Sequence, residues 1–337
     1  VSACGTVGYY AHVTRGQMSL LAHREPIATI IANPNADAEL RKRLAETQDA
    51  RKFASDRLGL PRNRSYTSYV ELHRPYVTWN VFAAPELSVD PVTHCFPFAG
   101  CVAYLGFFDK ARAERESAKL AKEGNDTAIE GAAAYSTLGW FADPVLSSML
   151  RWSDDELDGV IFHELAHQLL YVKDDTAFNE SYATFVQEEG LREWRAARGL
   201  PAVDTKRSEE DAFTALVLDL RERLKAVYSQ AIGDDAKREA KRNEIERFRE
   251  RYREVRDRDW AGDAGYDRWV DAPINNARLL PFGLYDRWVP AFSRIFAEAG
   301  GDWTAFYEHV RALAKLEKAE RERQLESLTN APAPPSH

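Results

Sequence analysis

Val160–Gly190 reads VIFHELAHQLLYVKDDTAFNESYATFVQEEG, with two histidines, a glutamate between them and three more glutamates downstream. It is either a pair of helices built around an ion or two ordinary amphipathic helices that carry polar residues, and the fold depends on which. The flanking DELDGVIFHELAHQLLYV has a helical apolar spacing and no internal proline. His163 and His167 are four residues apart, so on a helix they lie about 40° from each other around the axis. Both imidazoles can reach one ion from the same face. Glu164 is displaced around the axis, where a general base for an activated water belongs, and not in the ligand position.

A third ligand distinguishes the two readings. Phe178-Asn179-Glu180-Ser181-Tyr182-Ala183 begins a second helix, with Thr176 as the expected cap and Asn179 three residues on. Phe178, Tyr182, Phe185 and Val186 form its apolar face. Glu180 and Ala183 lie on another face, and Ala183 is small enough for a neighbouring helix to approach. If the helices pack antiparallel across the polar loop Lys173–Asp175, His167 and Glu180 are symmetric about Lys173-Asp174, so Glu180 can meet the ion. Glu188 and Glu189 compete for this role, but Glu188 lies about 12 Å further along the helix. Two histidines and a carboxylate leave a fourth position for water, the arrangement of a catalytic zinc site. The expected cofactor is therefore Zn2+, held by His163, His167 and Glu180.

Residues 6–60 read as two helices. The first carries Leu20, Leu21, Ile27 and Ile30; the second carries Leu40, Leu44 and Phe53 and stops at Gly59 and Pro61. From Tyr66 to Phe108 the aromatic and β-branched pattern reads as strands. DKARAERESAKLAKEG (109–124) reads as a surface helix and GAAAYSTLGWF (131–141) as a further strand, either interior or an edge open to an extended peptide. Everything after Trp152 reads as helical apart from loops. Between Lys206 and Asp259, Phe213, Leu216, Leu220, Leu224 and Val227 share one face, and Ile245, Phe248, Tyr252 and Val255 another. This three-four spacing predicts an antiparallel helical hairpin. A last helix is expected over Asp302–Leu328, followed by a disordered tail, APAPPSH. The fold class is α+β, predominantly helical, with a small β-sheet.

Of the 337 residues 45% are apolar and 29% charged, a foldable composition, and the net charge of -8 gives no reason to bind nucleic acid. No apolar run approaches the roughly 20 residues of a spanning helix. Val1-Ser2-Ala3-Cys4 looks like the end of a bacterial lipoprotein signal, an aliphatic residue and two small ones before the cysteine that receives lipid. Cys4 is thus the expected lipidation site and membrane attachment. In an oxidising compartment the other cysteines, Cys95 and Cys101, are expected to pair. Two buried free thiols are the alternative.

HELAH followed by NESYATF resembles the glutamate-type zinc peptidases, the gluzincins. CGTVGYYAHVTRGQMSLLAHREPI (4–27), CFPFAGCVAYLGFFD (95–109), AYSTLGWFADPVLSSML (134–150), HELAHQ, FNESYATFVQEEG (178–190) and NNARLLPFGLYD (275–286) together resemble the predicted-aminopeptidase zinc lipoprotein family of Gram-negative bacteria. That resemblance implies zinc, a lipid-anchored protein of the cell envelope facing the periplasm, and peptide or oligopeptide substrates. It implies a zincin-like helix pair within a catalytic region over 61–200. Residues 1–60 are then a lipoprotein-signal remnant with helices, 201–262 a charged helical-hairpin insert, 263–328 a C-terminal helical region and 329–337 a tail. Tyrosine donates to the oxyanion in related gluzincins, which points to Tyr285, with Asn275, Asn276 and Arg278 as residues that could orient it or the substrate. Two features depart from the larger gluzincin aminopeptidases. Their spacer between the second histidine and the ligand glutamate is longer than the twelve residues present, and their G-x-M-E-N-type strand is replaced by Gly131-Ala132-Ala133-Ala134-Tyr135. Glu130 is adjacent but on the opposite strand face, so exo- and endopeptidase activity both stay open. Two other classes also stay open: a zinc amidase or esterase acting on an envelope substrate, and a binding scaffold with a non-catalytic zinc.

Overall fold

The computed structural model describes residues 3–96, 100–134, 137, 141–201, 205–282 and 287–330, without the side chains of 3–7, 96, 100 and 205–208. Tyr285, the side chain of Cys4 and the 331–337 tail lie outside the described residues. The chain is predominantly helical with small sheets. It divides into two compact units, one of Val1–Thr78, Ala132–Ala202 and Leu284–His337, the other of Trp79–Gly131 and Val203–Gly283. Elements are numbered along the whole chain.

The first unit opens with α1 (Ala3–Ala22), β1 (Glu25–Pro26), α2 (Ile27–Ala32) and α3 (Ala38–Asp56). The two helices expected before residue 60 are therefore three, because a strand interrupts the first. Pro26 has no N–H to continue α1; it pairs with Ser68 and stands at the N-cap of α2. The chain continues to β2 (Ser68–Val70), which is antiparallel to β1 and parallel to β8 (Val145–Leu146). Helices α5 (Asp154–Leu169), α6 (Thr176–Ala197), α11 (Val289–Glu298), α12 (Trp303–Ala314) and α13 (Lys318–Asn330) complete the unit.

Behind α6 lies an aromatic core. Phe178 and Tyr182 meet Phe292 of α11, and Phe185 meets Phe306 of α12 at 5.0 Å between centroids. The single last helix expected over 302–328 is broken between α12 and α13. Arg321 fills the break, donating to the Leu316 carbonyl at 2.7 Å and the Ala314 carbonyl at 3.4 Å. Carbonyls freed at a helix end need such a donor.

In the second unit β3 (Thr78–Pro85) lies between β6 (Tyr104–Phe107) and β7 (Asn125–Ala132). Of the described residues in the strand expected at 131–141, Gly131 and Ala132 are strand, as the end of β7, which begins earlier. The polar Asn-Asp-Thr start of β7 hid it. Further on, the Asp143 carboxylate accepts from the backbone and the hydroxyl of Thr137 and closes a loop, while 135, 136 and 138–140 lie outside the described residues. Strands β4 (His94–Phe96) and β5 (Gly100–Val102) form an antiparallel ribbon in which Cys95 and Cys101 are register partners joined by a disulfide. Helix α4 (Lys110–Lys122) is capped by Asp109.

The long helices α7 (Thr205–Tyr228) and α8 (Asp234–Asp259) share one buried cluster of Phe213, Leu216, Leu220 and Leu224 with Ile245, Phe248 and Tyr252. Arg223 pairs with Glu244 and Asp219 with Arg251, so the helices run antiparallel. The short helices α9 (Asp267–Asp271) and α10 (Asn276–Leu279) follow.

Candidate metal centre

Helix α5 starts with a capping box. Ser153 accepts from the Glu156 N–H, the Glu156 carboxylate accepts from the Ser153 N–H, and three acids occupy the first turn. Helix α6 starts at the Asp175 carboxylate, which accepts from the Phe178 N–H; the expected Thr176 cap is thus one residue late. Asp155 pairs with Arg195 and Asp158 with Trp194, so α5 and α6 run antiparallel. Two glycines let them close. A Cβ on Gly190 would stand 2.7 Å from Leu58 and 3.1 Å from Phe162, and one on Gly159 3.2 Å from Gln187.

The pair brings His163 Nε2, His167 Nε2 and Glu180 Oε2 together. The two imidazole nitrogens are 3.1 Å apart, and the carboxylate oxygen is 3.3 Å from His163 and 3.5 Å from His167. Vertices of a tetrahedron with zinc–nitrogen bonds are about 3.3–3.4 Å apart, so the three atoms have the spacing of one ligand set. Among the described residues these three form the group able to hold a metal. Glu188 and Glu189 are not in it, and Glu189 pairs with Arg192. Neither is Glu164, half-buried beside His163. His12, His23, His73, His94 and His309 also stay out of any such group.

Burial raises the Glu180 carboxyl, but hydrogen bonds and charge from His163 and His167 outweigh it and bring its pKa down to about 2. Burial disfavours a charged His167 imidazole; hydrogen bonding and charge from Glu180, with charge from Glu164, overcome this and raise its pKa above the ordinary value. One carboxylate and two imidazoles are a donor set that a divalent cation can take.

Neighbouring contacts hold the residues around this group. Asn179 holds both backbone groups of Val172, accepting its N–H and donating to its carbonyl, each at 2.7 Å. Buried Asp175 accepts two hydrogen bonds from buried Arg321, at 2.9 and 2.6 Å. Ser181, next to Glu180, accepts from the Trp288 N–H at 3.0 Å. Gln168, next to His167, accepts from Asn63 and Ser65.

Sequence reading missed several of these residues. Asp158, an acid inside an apolar run, was a visible signal. Arg321, 146 residues from Asp175, gave none, and Tyr171, ring to ring with His167, looked like any loop tyrosine. In the second unit, Asn275, Asn276 and Arg278 spend their polar groups on the framework. Asn275 caps α10 and donates to Thr127, Asn276 donates to the Pro85 and Glu86 carbonyls, and Arg278 donates to Pro273 and Trp269.

Among the described residues no helix is long and apolar enough to cross a membrane. No curated protein and no solved structure matches the chain. The family described as "Putative aminopeptidase" matches residues 8–325, nearly the whole chain. Carrying a histidine-histidine-glutamate group that could hold a metal, the chain belongs to this aminopeptidase family.

Proposed function

We propose that the protein is a zinc metallopeptidase, with His163, His167 and Glu180 holding Zn2+ and Glu164 as general base. The observation that carries this reading is the convergence of three ligand atoms at 3.1–3.5 Å, supported by the family match. A zinc ion held there supplies a Lewis acid for a peptide carbonyl and makes a water acidic enough to attack near neutral pH. Glu164 takes that water's proton on its carboxylate and delivers it to the leaving amine. Tyr285 donates its phenolic hydrogen to the developing oxyanion. The helix pair acts as a zincin-like active site, and the antiparallel α7/α8 hairpin is an insert. A lipid on Cys4 and an envelope location facing the periplasm fit the Val-Ser-Ala-Cys stretch, and the Cys95–Cys101 disulfide suits an oxidising compartment.

Zinc content and peptide hydrolysis of four variants test the reading. Glu164→Gln keeps about one zinc per chain and loses roughly 10²–10⁴-fold in kcat. His163→Ala and Glu180→Ala lose both metal and turnover. Tyr285→Phe keeps the metal and lowers kcat by about 10²-fold or more. Full activity in Glu164→Gln would sink the mechanism, and full zinc in Glu180→Ala would sink the ligand set.

A further inference from the structure

Tyr171 stands in the short connection between α5 and α6, and 50% of it is exposed. Its ring is set edge-to-face against His167, at 6.2 Å between centroids and 72° between planes. The backbone that follows it is held. Val172 is held through both backbone groups by Asn179, a fully buried residue directly before Glu180. Asp174 is in the left-handed region at φ 61°, and Asp175 is locked to Arg321. The aromatic residues that build this unit's core, Phe178, Tyr182, Phe292 and Phe306, are fully buried. Tyr171 instead keeps half of its surface in water while its ring lies against His167. A rigid aromatic ring beside a few convergent polar groups is how small-ligand sites are lined.

We propose that Tyr171 is a substrate-contacting residue, its ring forming the wall beside the metal centre against which an apolar or aromatic side chain next to the scissile bond packs. This rests on the metallopeptidase reading and narrows its substrate class. Asn179 is then a positioning residue that couples the wall to the ligand helix.

The test is binding by the zinc-loaded full chain, measured calorimetrically with acetohydroxamate and with a benzyl-bearing hydroxamate. The wild type binds the benzyl compound at least about tenfold more tightly, a ratio of the size that aromatic contacts supply. Tyr171→Ala retains one zinc per chain and loses that preference. Tyr171→Leu, which leaves no void, loses most of it, and Tyr171→Phe restores it. In a peptide library Tyr171→Ala raises KM for aromatic and large apolar residues much more than it lowers kcat. A benzyl preference that survives in both the Ala and Leu variants overturns the proposal. So does its loss in Tyr171→Phe, which would assign the contact to the hydroxyl. A wild-type chain that binds no zinc overturns the metallopeptidase reading and this assignment together; one that binds zinc without any benzyl preference overturns only the assignment.

Discussion

In the α5/α6 pair the ionisable side chains point inward at one another, whereas in α7/α8 they stand outside an apolar seam. Both pairs are long and antiparallel. Between α5 and α6 lie His163, His167, Glu180 and the Asp158–Trp194 bond, and the Asp175–Arg321 pair is buried at the foot of α6. Between α7 and α8 lie Leu216, Leu220, Leu224 and Phe248, and the ion pairs Asp219–Arg223 and Asp219–Arg251 are about half exposed. A buried charge that loses its partner is strongly destabilising, and an exposed pair contributes little. The first pair gathers a histidine-histidine-glutamate group that could hold a metal, and the second holds two helices together through an apolar seam.

The largest expected effect is at the foot of α6. Arg321→Ala strips the partner from a buried Asp175 and frees the carbonyls of the α12/α13 break, so it destabilises by about 3–5 kcal/mol, measured by denaturant unfolding. A loss below about 1 kcal/mol would mean that Asp175 is not an uncompensated buried charge, and the contrast would fail at that point.

Asp158 gives a slightly smaller effect, of opposite sign and dependent on pH. Burial pushes its carboxyl up to about 7, against a lowering hydrogen bond from Trp194. Below about pH 4 the folded and unfolded states both hold the proton and nothing is lost. Between about pH 4 and 7 only the folded state holds it, so stability falls as pH rises, reaching its full loss above 7. Asp158→Asn removes this dependence. It is therefore more stable than the wild type above pH 7 by up to about 4 kcal/mol at roughly 1.4 kcal/mol per pKa unit, and the gain vanishes near pH 4. Unfolding curves of both proteins at pH 4 and pH 8 check it, and a gain equal at the two pH values would refute it.

The smallest effect belongs to the other pair. Arg251→Ala removes an exposed partner of Asp219 and changes stability by less than about 1 kcal/mol, less still in high salt. A loss above 2 kcal/mol would show that the α7/α8 charges are structural after all.

The legible part of the site was local. The four-residue spacing of His163 and His167 and the displaced Glu164 follow from helix geometry alone. Glu180 was reachable because the loop is short and its ends nearly symmetric. The less legible parts follow from single residues whose partners are remote or weakly patterned. The expected first helix is interrupted where Glu25 and Pro26 pair with β2, a partner more than forty residues away. The start of β7 was too polar to look like a strand. The break between α12 and α13 depends on Arg321 meeting Asp175, a pairing that no periodicity encodes.

By itself the sequence determined the helix that carries the two histidines, the apolar seam of α7 and α8 and the candidate ligands, because each depends on contacts within a few turns or on a simple period. Only the tertiary structure decided that Gly159 and Gly190 are where α5 and α6 touch, that Asp158 is buried against Trp194, that Asn179 grips Val172 and that Tyr171 is held beside His167. Those outcomes depend on which surfaces exclude water from which others, and burial is a property of the packed chain rather than of any segment in it.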